Sequence, residues 1–342
     1  MTLMSLFRPL TPREMVRWTF QTYARHFSQW LLIGLLAVVP LVAVNLILAQ
    51  VLPQPAFDAA LLEQFLAPLE RGEMLNNPAL QQQLMDDLIQ NSLILLVTVL
   101  AQLLAQIVII GTVAGGAGAV MTAAAYRDEP VSAGEGLQAL QTRFSQLAGG
   151  HILAGLLLIG LMTASILGTM ICIGFFGMGL TIYVYLALVP LAAPALALGK
   201  GDISTALREA WQFGKQRVWL IFWATLGLYG LRTLVGLPLD ALQMLLAPDS
   251  LLAAQVIGVV VELLILPVGV IFFTLLYEDT RGQAATPLVD DLNGISPAAV
   301  GPAPLLSMAD LPNIMGIAML SVGALLALYL VTALQAMLFM GG

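Results

Sequence analysis

The residue best placed for chemistry is Glu262, which interrupts an apolar run between Val259 and Leu266. A charge at membrane depth is costly, so an acid in such a run is by default a candidate functional residue. Its expected partner is Arg232, and the pair could relay a proton or an ion. Two other interpretations stay open, namely a structural ion pair and a protonated acid that faces water. The further polar candidates at membrane depth are amides: Asn45, Gln102, Gln106 and Gln255.

The sequence has no motif typical of an enzyme or a metal centre. HExxH, GxSxG and GxxxxGK[ST] do not occur. Cys172 is the single cysteine, and His26 and His151 are far apart in the sequence. We therefore expect no catalytic residues, no metal and no cofactor, and predict a non-enzymatic protein.

Composition predicts that these residues are carried by membrane-spanning helices. Of the 342 residues, 59% are hydrophobic and 10% are charged, and the mean hydropathy is +0.93. A soluble domain carries about 25% charged residues. The net charge of −7 argues against binding to nucleic acid, because no basic stripe is available for phosphate. The predicted fold class is an all-α integral membrane protein.

Seven apolar segments are long enough to span a bilayer. Six are expected to form a core, at roughly 29–51, 92–125, 150–171, 177–198, 218–236 and 252–277. The second exceeds the length that a bilayer requires, so it is expected to tilt, to break near Gly111–Gly118 or to project. The predicted organisation is a membrane domain over 1–281 with an acidic helical insertion at 53–90, a flexible linker over 282–311, and a C-terminal span within 312–342.

The distribution of basic residues predicts the orientation. With a cytoplasmic N-terminus, all of the 13 Lys and Arg residues except Arg71 and Arg232 fall on the cytoplasmic side. Such a bias is the usual mark of cytoplasmic loops. The C-terminus is then outside the cytoplasm. No small-residue cleavage site follows the first apolar segment, which is expected to be a retained anchor.

A short amphipathic segment runs directly into a long apolar segment three times. We call these segments, over 11–28, 132–148 and 202–217, elbows 1, 2 and 3. Phe27-Ser28-Gln29 lies at the end of elbow 1, and Phe144-Ser145-Gln146 lies in elbow 2. Capping boxes are predicted at Thr11 and Ser132, and Asp202 is expected to cap elbow 3. We predict three units, each an elbow followed by a helical hairpin.

Basic and aromatic residues in the elbows predict contact with lipid. An amphipathic helix of this kind lies in the membrane interface, where its bases meet anionic headgroups. The three elbows would then form a cytoplasmic collar that senses or shapes the leaflet, or they would only orient the spans. The predicted lipid-anchoring residues are Trp18, Arg17, Arg25, Trp30, Arg143, Trp211, Lys215, Arg217 and Trp219.

Small residues predict one close helix contact. Gly111, Gly115 and Gly118 lie on adjacent faces of the second span, and small residues at this spacing let helices approach closely. The contact could lie within the chain or between two copies.

Two stretches resemble a known bacterial family. They are Val189-Pro190 with residues 201–211 and Trp219, and residues 273–281, which end in Leu-Tyr-Glu-Asp-Thr-Arg. Together they resemble the membrane domain found ahead of some glycerophosphodiester phosphodiesterases and in free-standing relatives of the YciC type. The family's usual Leu-Tyr-Tyr-Asp-Leu-Arg is altered here, because Glu278 replaces the second Tyr and Thr280 the Leu. The resemblance implies a location in a bacterial inner membrane. It implies no hydrolase activity, because the phosphodiesterase catalytic domain of the family is not present.

The expected function is a membrane scaffold or accessory subunit that organises lipids or partner membrane proteins. Its expected partners are membrane lipids, anionic ones above all, and other membrane proteins or a second copy of the chain. The alternative is a transporter or channel component with a path near Glu262. An intramembrane enzyme is the least favoured reading, because the candidate residues do not cluster.

Overall fold

The chain is a multi-pass all-α membrane protein, as predicted. A computed structural model describes residues 10–53, 78–169, 174–199, 201–246, 251–285, 306–321 and 323. No strand occurs among these residues. Within these described ranges, six helices are long and apolar enough to cross a membrane: Phe27–Val51, Met85–Tyr126, Ala133–Ile166, Phe176–Leu198, Val218–Leu239 and Val256–Gly282. The predicted seventh span lies mostly outside the described residues, as does most of the acidic insertion.

Ten α-helices follow one another along the described residues. They are α1 (Pro12–Arg25), α2 (Phe27–Val51), α3 (Pro78–Ile109), α4 (Gly116–Tyr126), α5 (Ala133–Thr169), α6 (Gly174–Leu198), α7 (Ile203–Gln216), α8 (Val218–Leu246), α9 (Leu251–Ala285), and a last one over 311–321 that we call α10. A π-helical segment, Ile110–Gly115, joins α3 to α4, and a 3-10 turn, Met308–Asp310, precedes α10.

The helix starts follow from local side-chain chemistry. Thr11 accepts a hydrogen bond from the Glu14 N–H, and Glu14 accepts one from the Thr11 N–H, which confirms the predicted capping box. Asp202 caps α7 by accepting a hydrogen bond from the Thr205 N–H at 3.0 Å. These caps supply partners to N–H groups that the first turn of a helix leaves free.

The long second span is continuous rather than broken. Its backbone passes from α3 into the π-helical segment and then into α4 without leaving helical structure. A π-helical turn admits an extra residue and shifts the helix face. Of the three alternatives that the sequence left open, a break near Gly111–Gly118 does not occur, and the glycine-rich stretch forms this local change of pitch instead.

The chain divides into two compact units. One is Val39–Gln106, and the other contains the remaining described residues. A core cluster of the larger unit gathers around Trp30, with Ile33 from α2, Met121 from α4 and Leu275 from α9 among its members. Trp30 and Leu275 are almost fully buried, so helices distant in sequence meet in one apolar core.

Candidate functional site: the three elbows

Each elbow bends at one residue, and the three bends have nearly the same backbone geometry. His26 has φ −120° and ψ 31°, Arg143 has φ −115° and ψ 15°, and Arg217 has φ −119° and ψ 17°. These values leave the α-helical region for one residue. The helix restarts at once, since the Trp30 N–H bonds to the His26 carbonyl and the Ile221 N–H to the Arg217 carbonyl.

The same positions face inward in all three elbows. Four residues after each bend stands a large apolar side chain that is at most 1% exposed: Trp30, Leu147 or Ile221. Seven residues before each bend stands a small buried residue: Thr19, Gly136 or Ala210. A small residue lets the amphipathic helix lie close to its neighbour. At Gly136, an added Cβ would lie 2.9 Å from the Ala117 carbonyl oxygen.

Hydrogen bonds link the elbows in cyclic order. The Ala133 N–H, where the helix of elbow 2 begins, donates at 3.0 Å to Oε1 of Gln29, the residue just after elbow 1. Gln146 of elbow 2 donates from Nε2 to the carbonyl of Gly201, just before elbow 3, at 2.9 Å. The two glutamines of the Phe-Ser-Gln sequences therefore make corresponding contacts, each with the start of the next elbow.

The last helix of the three hairpins, α9, connects elbow 3 with the start of the elbow 1 segment. The N–H of Leu10, the residue just before elbow 1, donates to Asp279 Oδ1 near the end of α9 at 2.9 Å. Arg281 donates from Nη1 to the carbonyl of Leu198 at 3.3 Å, and its Nε lies 3.9 Å from Glu209 Oε1 of elbow 3. The sequence Tyr-Glu-Asp-Thr-Arg at 277–281 thus contacts the residue just before elbow 1, the end of α6 and elbow 3.

Elbow 1 presents an apolar face and basic side chains to its surroundings. Val16, Phe20 and Phe27 are 46%, 45% and 42% exposed. Arg17 and Arg25 are also exposed, whereas Met15 and Thr19 on the opposite side are buried in the protein. Val16, Phe20 and Phe27 therefore do not belong to the face of elbow 1 that packs on the helix bundle.

His26 differs from the arginines at the other two bends. Partial burial and then the positive charge of Arg25 lower the pKa of His26 below its usual value. The imidazole is therefore mainly neutral at pH 7.

Arg143 of elbow 2 is half-buried and contacts protein at the end of α6. Its Nη1 donates to the carbonyls of Gly199 at 2.7 Å and of Ala197 at 2.9 Å, at the end of α6. A cation at a helix C-terminus is favourable because the last carbonyls carry partial negative charge. Arg143 was predicted to anchor lipid, but these contacts give its guanidinium a role in joining elbow 2 to α6.

Two tryptophans predicted to anchor lipid are buried in the protein. Trp30 is 1% exposed and Trp211 is 8% exposed. Trp211 packs edge-on against Tyr183, with ring centroids 6.0 Å apart. The prediction was wrong for these two because tryptophan also fills protein cores. Trp18 is half-buried against Tyr126, whereas Trp219 and Trp223 are exposed.

A buried polar cluster holds the C-terminal segment on elbow 3. Lys215 Nζ lies 2.7 Å from Asp310 Oδ2, and the Tyr183 hydroxyl donates to Asp310 Oδ1 at 3.1 Å. The Ser307 N–H also donates to Asp310, at 2.7 Å. Burial raises the pKa of Asp310, but the hydrogen bonds from Lys215, Ser307 and Tyr183 outweigh it and leave that pKa below its usual value.

Further contacts extend this docking along α10. Trp219 Nε1 donates to Asn313 Oδ1 at 3.0 Å, and a Cβ on Gly179 would lie 2.7 Å from the Ala318 Cβ. The predicted flexible linker reached to residue 311, but Ser307 and Asp310 already belong to this packed segment. Sequence reasoning missed Asp310, although the spacing of Ser307 and Asp310 is that of a capping box.

The remaining basic candidates differ in their surroundings. Lys215 contributes to the cluster and also lies over the Trp211 ring, 5.8 Å from its centroid. Arg217 is half-buried at the bend of elbow 3. Arg17 and Arg25 of elbow 1 are thus the predicted lipid-anchoring bases that stay exposed.

Glu262 and Arg232 do form a pair. Arg232 Nη1 lies 3.6 Å from Glu262 Oε2, and the side chains are 50% and 18% exposed. The predicted partnership is confirmed. Asn45, Gln102 and Gln106 lie in the smaller unit, where Gln102 and Gln106 are exposed. The Asn45 amide oxygen is buried with no hydrogen-bond partner among the described residues.

The three glycines predicted to pack helices all do so within this chain. A Cβ on Gly115 would meet Ala193 of α6 at 2.6 Å, and one on Gly118 would meet Val270 of α9 at 2.5 Å. Gly111 lies directly against the His151 ring of α5. Of the two contacts left open by the sequence, the structure has the intramolecular one at these positions.

No protein-family model, curated protein or solved structure matches the chain. Any function must therefore be argued from the contacts, charges and exposed faces given above.

Proposed function

We propose that this protein is a non-enzymatic membrane scaffold whose three elbows form a collar at the cytoplasmic face. The collar gathers anionic lipids, and through them or directly it organises partner membrane proteins. The observation that carries the proposal is the surface of elbow 1, where the helix that exposes Phe20 and Val16 also exposes Arg17 and Arg25. Lipid satisfies both halves of such a surface, since acyl chains cover the apolar side chains and headgroup phosphates meet the bases.

Charge favours anionic lipid over neutral lipid. A basic residue close to an anionic membrane surface contributes about 1 kcal/mol. The exposed arginines of elbow 1 are Arg13, Arg17 and Arg25. Their combined attraction would hold elbow 1 in the interface more firmly than apolar contact alone.

The equal bends and the cyclic hydrogen bonds support a scaffold built by internal triplication. In this proposal each unit is an elbow and a hairpin, and Gln29 and Gln146 are equivalent residues. A rigid ring of three in-plane helices would fix the spacing of lipids or partners around it. Binding lipids or partner proteins and fixing their spacing need no catalytic group, as proposed for a non-enzymatic scaffold.

The proposed location is the bacterial cytoplasmic membrane, with the N-terminus in the cytoplasm and the C-terminus outside. The bias of Lys and Arg toward the elbow side supports this orientation. The family resemblance carried by residues 201–211 and 277–281 remains a hypothesis. Residues 277–281 contact elbow 3 and the residue just before elbow 1, and these contacts give a structural reason for such a motif to exist.

The alternative, a transporter or channel component, draws on the ion pair between Arg232 and Glu262. A pair at this depth costs desolvation energy, and polar groups at membrane depth often mark ion pathways. Pairing also satisfies Glu262 without any transport, as in a structural ion pair. The exposed elbow surface favours the scaffold because a pathway has no need of it.

The lipids that copurify after gentle solubilisation test the scaffold and separate it from the transporter. The wild type and Glu262→Gln should both retain anionic lipid above its share in the source membrane. A variant with Arg13, Arg17 and Arg25 changed to Gln should lose that enrichment. An unchanged lipid content in the triple variant would contradict the proposal. Loss of ion flux across proteoliposomes with Glu262→Gln would favour the transporter instead.

A further inference from the structure

An apolar groove descends from elbow 3 between two spans. It has a volume of about 320 Å³. Its walls come from α5, α6 and α7, with Leu306 of the C-terminal segment completing the lining. The described lining residues are Leu153, Ala154, Leu157, Leu161, Leu180, Val184, Leu188, Leu207, Arg208, Trp211 and Leu306.

The groove has the direction and length of an acyl chain in one leaflet. Leu153, Leu157 and Leu161 recur four apart on α5, and Leu180, Val184 and Leu188 do so on the antiparallel α6. Eight residues of helix rise about 12 Å. Half the hydrocarbon thickness of a bilayer is about 15 Å. The groove therefore runs along the helices from the elbow through most of one leaflet.

Charge is confined to the elbow end of the groove. Arg208 is its single charged lining residue among those described, and it is exposed on α7. Trp211, one turn further along α7, forms the adjoining wall. Every other described side chain of the lining is an aliphatic one, and none is a carboxylate. A cationic end above an apolar trough matches the two parts of an anionic phospholipid.

The groove also opens to the space that lipid fills. Leu153 and Leu157 are 53% and 49% exposed, although they line it. A chain from the surrounding leaflet can therefore enter sideways, without passing through the protein. Occupation by an acyl chain would supply the van der Waals contacts that the lining side chains lack across an empty groove.

We propose that this groove binds one acyl chain of an anionic phospholipid, with the headgroup phosphate at Arg208. The inference rests on the proposed function and adds a specific lipid site to the general attraction of the elbows. Leu306 links the lipid site to the C-terminal segment, because Asp310 holds that segment on elbow 3. Docking of that segment therefore completes the lipid site.

Native mass spectrometry in detergent tests the site, with phosphatidylglycerol and phosphatidylcholine as the two probes. The wild type should bind a first phosphatidylglycerol more tightly than a first phosphatidylcholine. Arg208→Gln should weaken the first phosphatidylglycerol about fivefold, as expected for the loss of one base near a phosphate. Arg127→Gln is the matched control, because Arg127 is exposed at the end of α4, outside the elbows and the groove lining, and should leave this first binding event unchanged.

Blocking the trough gives an independent test. Leu157→Trp should fill the groove and abolish the first binding event for phosphatidylglycerol. Leu156→Trp is the control, since Leu156 is equally exposed on α5 but does not line the groove. Equal binding by the two variants, or equal binding of the two lipids by the wild type, would overturn the proposal.

Two further results are informative. A dimer that only Leu157→Trp disrupts would assign the groove to a second copy of the chain and overturn the lipid site. The groove variants leave the bases of elbow 1 intact. If the groove variants do not change the first binding event while the purified protein still shows enriched anionic lipid, the groove site is therefore rejected and the scaffold is not.

Discussion

Lys215 and Asp310 form a 2.7 Å ion pair although 95 residues separate them in sequence. The Asp310 side chain is 9% exposed, and Tyr183 of α6 donates to its second oxygen. Three separate segments therefore meet at one carboxylate. The pair fixes the start of α10 against elbow 3, and with it Leu306 at the edge of the apolar groove.

Removing the Asp310 charge should release this segment. Asp310→Asn leaves Lys215 in a partly buried position without its counter-charge, which costs about 3 kcal/mol. Amide hydrogen exchange at 311–321 should then accelerate roughly a hundredfold, because local opening becomes easier by that free energy.

Glu129→Gln is the control for this change, since Glu129 is an exposed carboxylate elsewhere on the chain. It should leave exchange at 311–321 unaltered. If Asp310→Asn also left the exchange rate unaltered, the ion pair would not hold the segment.

The same contact should respond to acid in a defined direction. The pKa of Asp310 is lowered in the folded protein, so the unfolded chain takes up the proton first as pH falls. The stabilisation is complete above the ordinary aspartate pKa of about 4 and is lost as pH falls through the lowered value. Exchange at 311–321, corrected for its intrinsic pH dependence, should therefore stay slow down to about pH 4 and rise below it. Opening near pH 6 would contradict this assignment.

Close approach of elbow 3 to α6 gives a prediction on stability. A Cβ on Gly214 would collide with the carbonyl oxygen of Ala187, which as backbone cannot move aside easily. Gly214→Ala should lower the free energy of unfolding by about 1–3 kcal/mol, as overpacking does. Chemical denaturation of the detergent-solubilised protein measures this change.

Gly227→Ala provides the matched comparison in α8. No atom lies within 4 Å of a Cβ there, so the substitution should be neutral or should stabilise by up to about 1 kcal/mol. Equal destabilisation by both substitutions would show that loss of glycine itself, and not the contact with Ala187, is responsible.

Local and periodic features could be predicted from the sequence. The caps at Thr11 and Asp202 depend on residues three apart, and the apolar segments depend on composition alone. The pairing of Arg232 with Glu262 followed because a lone acid at membrane depth needs a counter-charge. Each of these inferences uses a preference that acts over a short distance or on one residue type.

Tertiary packing could not be predicted in the same way. Trp30 and Trp219 both follow an elbow bend within four residues, yet Trp30 fills a core while Trp219 is exposed and bonds to Asn313. The difference arises because α2 packs Trp30 against Gly118 of α4. Asp310 was missed for a related reason, since its partners Lys215 and Tyr183 are brought to it only by folding.

The position of elbow 1 relative to lipid is the central claim, and spin-label accessibility measures it most directly. A nitroxide can be attached at Phe20→Cys or at Arg17→Cys after the single cysteine is removed by Cys172→Ser. In vesicles that contain phosphatidylglycerol, the label at position 20 should be more accessible to oxygen than to a water-soluble nickel chelate. The label at position 17 should show the reverse order. Equal and high accessibility of both labels to the nickel chelate would place elbow 1 in water and contradict the scaffold proposal.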